Sequence, residues 1–150
     1  MFRGITQINL DTKGRMAFPS RYRDKLIQSS DGQVVVTVDR DHCLLIYPLP
    51  KWEEIEQKLV RLPNLNRAVR SLQRLLIGHA TEGQLDGNGR ILLPPPLREF
   101  AGLDKKVVLV GQGEYFELWD ESAWNQWRDQ SVAEAAQENE LPDALEQLSI

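Results

Sequence analysis

Cysteine is almost absent from this sequence, since Cys43 is the single thiol and no disulfide can form within the chain. Long apolar runs are also missing: no stretch approaches the roughly 20 residues of a membrane span. The opening MFRGITQINL lacks the apolar core of a signal peptide. Nothing here points away from a reducing compartment, so we expect a cytoplasmic protein with no membrane partner.

Metal-binding and nucleotide-binding motifs are missing as well. His42, His79 and Cys43 are too few and too irregularly spaced for a zinc site. No GxxxxGKS or GxxxxGKT phosphate loop is present, and the glycine clusters follow no βαβ pattern. We therefore expect neither a metal nor a cofactor.

The charges are unevenly distributed along the chain, although the net charge is only −4. Residues 1–25 contain six Lys and Arg against two acids, and residues 58–74 contain five Lys and Arg with no acid. Residues 114–146 contain ten acids against Arg128 alone. The chain is therefore basic in its first half and acidic near its end, which favours a polyanionic partner but is also compatible with ordinary solvated faces.

One pattern of ten residues occurs twice in the chain. LDTKGRMAFP at 10–19 and LDGNGRILLP at 85–94 align at an offset of 75, and the alignment continues at an offset of 72 after a shortened polar connection. A length change in a surface turn leaves both cores intact. The sequence therefore predicts two copies of one module.

Each copy predicts a strand, a tight turn, a return strand, a short helix, a hairpin and a longer helix. Between the copies, the break at Pro63 predicts a helix capped by Asn64. We expect four segments: repeat 1 over 1–62, a connecting helix over 63–77, repeat 2 over 78–130, and an acidic tail over 131–150 that can form a helix.

The fold class predicted by these elements is α+β and rich in β-structure. A short β-rich module cannot cover its own sheet edges, so we expect it to pair with its twin and share a small barrel with peripheral helices. The tail has amphipathic spacing and is expected to dock on the core or to bind a partner, through Leu141, Leu145, Leu148 and Ile150.

Catalysis is one interpretation of Asp11 and Asp86, one in each repeat. Aspartic proteases also place one aspartate in each half, and the two carboxylates share a proton. Those enzymes require a compact Asp-Thr-Gly or Asp-Ser-Gly turn, whereas here two residues separate each Asp from its Gly and an arginine follows. We predict that both aspartates shape turns and that the protein is not an enzyme.

DNA binding is the interpretation that the residues favour. Arg15 and Arg90 follow the two turns, and the planar fork of arginine on a β-ribbon can bond guanine O6 and N7 in the major groove. Lys13, present in the first turn only, is expected to contact phosphate, together with Arg3, Arg21 and Arg23. The first copy is therefore expected to be the better DNA reader. One alternative stays open: each arginine pairs with the aspartate of its own turn, Asp11 or Asp86.

Five segments of this sequence resemble the MraZ family of bacterial transcriptional regulators: the start MFRG, the two DxxGRxxxP motifs, YPLPKWEEIEQKL and FELWD. The resemblance covers nearly the whole chain and is weakest after about residue 130. It implies tandem SpoVT/AbrB-type domains that form a double-split, swapped-hairpin β-barrel. It also implies a ring-shaped homo-oligomer that binds direct repeats in double-stranded DNA upstream of its own division and cell-wall operon, as a nucleoid-associated repressor.

Matching residues carry the family's expected roles to this chain. The residues implied to face DNA or shape the turns are Asp11, Lys13, Gly14, Arg15 and Arg23, then Asp86, Gly89, Arg90 and Arg98. Arg15 is the recognition candidate, while Arg23 and Arg98 either contact phosphate or buttress the loops. Asn88 stands where the first repeat has Lys13, which leaves a DNA contact by the second repeat open. The alternative function is a ring-forming or antitoxin-like scaffold with only non-specific DNA affinity.

Overall fold

The computed structural model describes residues 1–137 and 142–148, and these contain eight strands and six helices. In chain order they are β1 (Ile5–Asn9), β2 (Arg15–Ala17), α1 (Ser20–Ser30), β3 (Gln33–Val38), β4 (Leu44–Pro48), α2 (Leu49–Val60), α3 (Arg67–Leu76), β5 (Thr81–Gln84), β6 (Arg90–Leu92), α4 (Pro95–Phe100), β7 (Lys106–Gly111), β8 (Phe116–Asp120), α5 (Glu121–Gln137) and α6 (Asp143–Glu146). The order β-β-α-β-β-α occurs twice, with α3 between the two copies, so the predicted duplication is confirmed.

The strands of the two repeats are exchanged. A six-stranded antiparallel sheet has the order β1-β7-β8-β4-β3-β5, so the first strand of each repeat pairs with the third strand of the other. The second strands, β2 and β6, pair with each other in a separate two-stranded sheet. The predicted α+β class and the predicted sharing of strands between the repeats are confirmed. Neither repeat forms a complete sheet from its own strands.

One hydrophobic core fills the space between the two sheets. Strand alternation sends Val34, Val36 and Val38 of β3 to this inner side. Met16 of β2 and Ile91 of β6 reach it from the two-stranded sheet and are almost fully buried. Aromatic rings contributed by both repeats fill one part of this core, namely Phe2, Phe18, Tyr22 and Phe116.

Helices cover the opposite face of the six-stranded sheet. Trp52 of α2 packs there with Val35 and Tyr47, and residues of α3 complete this cluster. Trp124 of α5 packs with Val108 and other residues in a second cluster on the same face. The molecule is therefore layered, with the β2–β6 sheet on one side of the core and α2, α3 and α5 beyond the large sheet.

Two local predictions need correction. The helix after Pro63 begins at Arg67, and its cap is Asn66 rather than Asn64, because the Asn66 side chain accepts a hydrogen bond from the N–H of Ala68 at 2.8 Å. Of the tail residues expected to dock, Leu145 and Leu148 are exposed, whereas Leu141 and Ile150 lie outside the described residues. Among the helices of the described ranges, none combines the length and apolar character needed to cross a membrane.

Candidate nucleic-acid interface

The two motif arginines lie on one surface, the outer face of the β2–β6 ribbon. Arg15 is opposite Leu92, Met16 is opposite Ile91, and Ala17 is opposite Arg90. Residues directly opposite each other in an antiparallel pair point to the same side of the sheet. Since Met16 and Ile91 face the core, the other four residues face outward. Each repeat therefore contributes one arginine and one apolar residue to a single surface.

The ribbon is longer than its assigned strands because two cross-repeat hydrogen bonds extend it. The N–H of Phe18 donates to the carbonyl of Gly89 at 2.9 Å, and the N–H of Leu93 donates to the carbonyl of Gly14 at 3.0 Å. Each DxxG turn is thus fastened at one end of the ribbon to the other repeat. The turns, residues 11–14 and 86–89, flank the ribbon at opposite ends.

Asp11 holds the first turn and its arginine together. Its Oδ1 accepts the backbone N–H groups of Lys13 at 2.9 Å and Arg15 at 2.8 Å, and its Oδ2 accepts the Arg15 Nε–H at 2.6 Å. The hydrogen bond from the Arg15 backbone, with further bonds from the Arg15 side chain and Lys13, lowers the pKa of Asp11 from 3.8 to about 2. The carboxylate is therefore ionised at neutral pH.

Asp86 repeats this geometry in the second turn. Its Oδ1 accepts from the N–H groups of Asn88 at 2.8 Å and Arg90 at 2.9 Å, and its Oδ2 accepts from Arg90 Nε at 2.9 Å. The backbone hydrogen bond from Arg90 is the main cause of a lowered pKa of Asp86. The predicted alternative, an ion pair within each turn, is therefore present in both repeats.

This ion pair leaves the end of each guanidinium available. Within the described residues, the side-chain hydrogen bonds of Arg15 and Arg90 use Nε alone, and no partner is recorded for the two terminal nitrogens. The two arginine side chains are about one third exposed. An arginine oriented by a carboxylate on one edge can present its other donors to a base or phosphate. The ion pair and a DNA contact are therefore compatible.

Arg23 and Arg98 lie behind the turns and support them. Arg23 Nε donates to the carbonyl of Phe18 at 2.6 Å, and Arg98 Nε donates to the carbonyl of Leu93 at 2.8 Å. Each guanidinium region also lies against the turn glycine of the other repeat: a Cβ added to Gly89 would be 2.3 Å from Arg23 Nε, and one added to Gly14 would be 2.7 Å from Arg98 Cζ. Of the two roles left open for these arginines, this geometry favours buttressing.

In the part of the chain that the structure describes, the hydrogen bonds of the Arg21 side chain and of the Arg3 carbonyl are to β1 and α1. Arg21 Nη2 donates to Thr6 Oγ1 at 2.6 Å, and its guanidinium lies over the Tyr22 ring, 4.5 Å from the centroid. The Tyr22 hydroxyl donates to the carbonyl of Arg3. Of the predicted cationic contacts, Arg15 and Arg90 lie on the ribbon face and Lys13 is exposed in the first turn, while Arg23 and Arg98 lie against the turn glycines.

Sequence reasoning missed two features of the structure. The first is the outward position of Ala17 and Leu92, which the alternation in RMAF and RILL could have shown. The second is a group formed by Asp39, Cys43 and Glu117. The Cys43 Sγ and one carboxylate oxygen of each acid, atoms of the kind that bind metal ions, lie within 4.8 Å of one another. Burial raises the pKa of the Cys43 thiol and that of Glu117, and the nearby carboxylates raise them further.

Comparison with known proteins agrees with the two-repeat architecture. The family described as "MraZ protein, putative antitoxin-like" matches residues 1–75 and again residues 76–145. The chain belongs to the MraZ family. The match to this family therefore covers both repeats, including the β2–β6 ribbon that they form together.

Curated MraZ relatives match over the full length of the chain. "Transcriptional regulator MraZ" of Thioalkalivibrio sulfidiphilus is 63% identical over 150 residues, covering 100% of both chains. The proteins of the same name from Pseudomonas aeruginosa PAO1 and Salmonella typhi are 56% and 54% identical, with coverage of 99% and 100% of both chains, respectively. These MraZ relatives are named as regulators and not as enzymes, in agreement with the prediction from the turn motifs.

Proposed function

We propose that this protein is a sequence-specific DNA-binding transcriptional regulator that inserts the outer face of the β2–β6 ribbon into the major groove. The observation that carries this proposal is the register of the ribbon, which places Arg15 of repeat 1 and Arg90 of repeat 2 on one outward face. The name of the relatives, transcriptional regulator, supports the same conclusion.

The shape and chemistry of the ribbon suit the major groove. A two-stranded antiparallel ribbon fits this groove as an α-helix does. Arg15 and Arg90 are diagonal neighbours, a relation that separates the residues by about 7–8 Å. Their side chains can therefore reach bases about two steps apart in a duplex, since one step is about 3.4 Å. Within residues 1–137 and 142–148, the terminal donors of each arginine have no partner, and they are suited to guanine O6 and N7. Lys13, exposed in the first turn, is available for a phosphate.

The layering of the molecule supports this orientation. The ribbon forms one outer layer, whereas α5, which contains three acids of the acidic stretch, lies on the far side of the six-stranded sheet. The acids of α5 are therefore separated by the large sheet and the core from a polyanion that approaches the ribbon. This arrangement explains how a chain of net charge −4 can bind DNA.

The finer proposal is a cytoplasmic, nucleoid-associated repressor that acts as a ring-shaped homo-oligomer. One chain offers few phosphate-binding cations, which gives weak binding at physiological salt. Linked subunits that engage repeated sites raise the avidity by roughly 10²–10⁴. We therefore propose that the protein binds direct repeats in the DNA upstream of its own division and cell-wall operon. For the chain itself, we propose two protein repeats over residues 1–62 and 78–130, a connecting helix over 63–77 and a tail over 131–150.

The test is fluorescence anisotropy with DNA from upstream of the gene and with scrambled DNA. Arg15→Ala is expected to weaken specific binding by about 5- to 150-fold, corresponding to about 1–3 kcal/mol for one bidentate base contact. Arg90→Ala is expected to have a milder effect because its turn lacks the lysine. Lys13→Ala should weaken binding to both DNAs equally and reduce the salt slope by about one.

Arg128→Ala is the matched control, because Arg128 is an exposed arginine on α5, away from the ribbon. It should bind like the wild type. Light scattering must show the same oligomer for every variant. If wild type and all variants bind both DNAs alike, the proposal is wrong and the scaffold function is the better account.

A further inference from the structure

The outer face of the ribbon is symmetric in its arginines but not in its apolar residues. Under the pseudo-two-fold relation between the repeats, Arg15 corresponds to Arg90 and Ala17 corresponds to Leu92. The large Leu92 is directly opposite Arg15, whereas the small Ala17 is directly opposite Arg90. The half of the ribbon that contains Arg15 therefore has a large apolar side chain, whereas the other half has only the methyl group of Ala17.

Leu92 is not part of the core. It is 56% exposed, although its neighbours Ile91 and Leu93 are 1% and 0% exposed. A single exposed leucine is ordinary on a protein surface. This one, however, lies directly opposite Arg15 and two residues from Arg90 along β6, on the face that we propose enters the groove.

The major groove contains one apolar group that such a side chain can recognise, the 5-methyl group of thymine. Directly opposite residues in an antiparallel pair have Cβ atoms about 4.5–5.5 Å apart. Successive base pairs are about 3.4 Å apart along the axis. A base contacted by Leu92 therefore lies within about one or two steps of a base contacted by Arg15.

We propose that Leu92 is a specificity-determining residue that contacts the 5-methyl group of a thymine next to the guanine bound by Arg15. This inference rests on the proposed DNA-binding function. Leu92, together with Lys13 on the same half of the ribbon, makes the two halves of the surface different. The ribbon then reads its site in one direction, which suits direct repeats, whereas a fully symmetric ribbon suits a palindrome.

The test uses uracil, which pairs as thymine does but lacks the methyl group. Sites are first selected with the full-length wild-type protein from a pool of randomised duplexes. Each thymine of the selected site is then replaced by uracil, one at a time, and binding is measured by anisotropy. For wild type, one replacement near the Arg15 guanine should weaken binding by about three- to tenfold, from the loss of one buried apolar group.

Leu92→Ala should bind the thymine site about as weakly as wild type binds the uracil site. Replacement of that thymine by uracil should not weaken the binding of Leu92→Ala any further. Because Leu92 is exposed, this variant is expected to fold, which circular dichroism checks. Val132→Ala, an exposed apolar residue on α5, is the matched control and should keep the full uracil effect. The double variant Ala17→Leu with Leu92→Ala should move the thymine preference to the Arg90 side.

Two outcomes overturn the inference and are distinguishable. If wild type selects a specific site and Arg15→Ala abolishes the selection, but uracil replacement affects wild type and Leu92→Ala equally, the inference alone is wrong. If wild type selects no site at all, the proposed function fails and the inference fails with it.

Discussion

At the scale of single residues, the aspartate of each turn determines what its arginine can do. Asp11 binds two backbone N–H groups with one oxygen and the Arg15 side chain with the other, so one carboxylate both closes the turn and orients the guanidinium. Removal of the carboxylate would leave the arginine flexible, and an ordered arginine loses less entropy on binding. Asp11 is therefore a positioning residue for Arg15.

A pH titration tests this role. The pKa of Asp11 is lowered to about 2 from 3.8, so its ionised form stabilises the folded protein above about pH 4, and this contribution is lost as the pH falls through about 2. In Asp11→Asn, the contribution is missing at every pH. The difference in free energy of unfolding between wild type and Asp11→Asn should therefore be constant at neutral pH and shrink below pH 4. Urea titrations at several pH values measure it; a difference that does not change with pH contradicts the assignment.

At the scale of elements, the turn arginines belong to a ribbon rather than to two hairpins. Each turn connects two strands that pair with the other repeat, β1 with β7 and β2 with β6 in the first copy. The arginine that follows each turn is thereby placed on the β2–β6 surface. Helix α3, the connector between the repeats, packs on the far face of the six-stranded sheet, where it covers apolar residues of β3 and α2.

The cap of α3 can be tested with two neighbouring asparagines. Asn66→Ala removes the side-chain acceptor for the Ala68 N–H and should lower the free energy of unfolding by about 0.5–2 kcal/mol. Asn64→Ala is the matched control, since among the described residues Asn64 contributes only its backbone carbonyl, which accepts from Arg70 Nη1 at 3.0 Å. Chemical denaturation of the three proteins measures both effects. Equal losses in the two variants would contradict the cap at Asn66.

At the scale of the whole molecule, exchange of strands makes the two repeats one cooperative unit. Both repeats line the same core, and each turn is buttressed by an arginine of the other copy. Small domains with one core unfold in a single transition. A change in one repeat should therefore destabilise both.

Gly89→Ala tests this coupling. Gly89 has φ +70°, which disfavours a side chain, and an added Cβ would press on Arg23 of the other repeat. We expect a loss of about 1–3 kcal/mol in the free energy of unfolding. Tryptophan fluorescence and far-ultraviolet circular dichroism should report the same lowered midpoint. Gly87→Ala is the control, because nothing lies within 4 Å of an added Cβ there, and two separate transitions in Gly89→Ala would refute the single cooperative unit.

Much of the local structure was predictable from the sequence alone. The repeat follows from identical residues at an offset of 75 and then 72, and the turns follow from Asp and Gly at positions where each has a specific backbone role. The helix after Pro63 was predicted as an element, but its start was placed two residues early. Both Asn64 and Asn66 are good caps, and the sequence pattern does not distinguish them.

Only the tertiary structure decided which residues meet across the two repeats. The pairing of β2 with β6 joins residues about 75 positions apart. Turn motifs and strand alternation concern residues close in sequence, so they do not predict this pairing. Burial of sheet edges selects this pairing, because each repeat exposes strands that the other can cover. As a result, Arg15 and Arg90 share one face, Leu92 lies opposite Arg15, and Arg23 and Arg98 support the turns of the opposite repeat. The residue types come from the sequence; their combination into one surface comes from the exchange of strands.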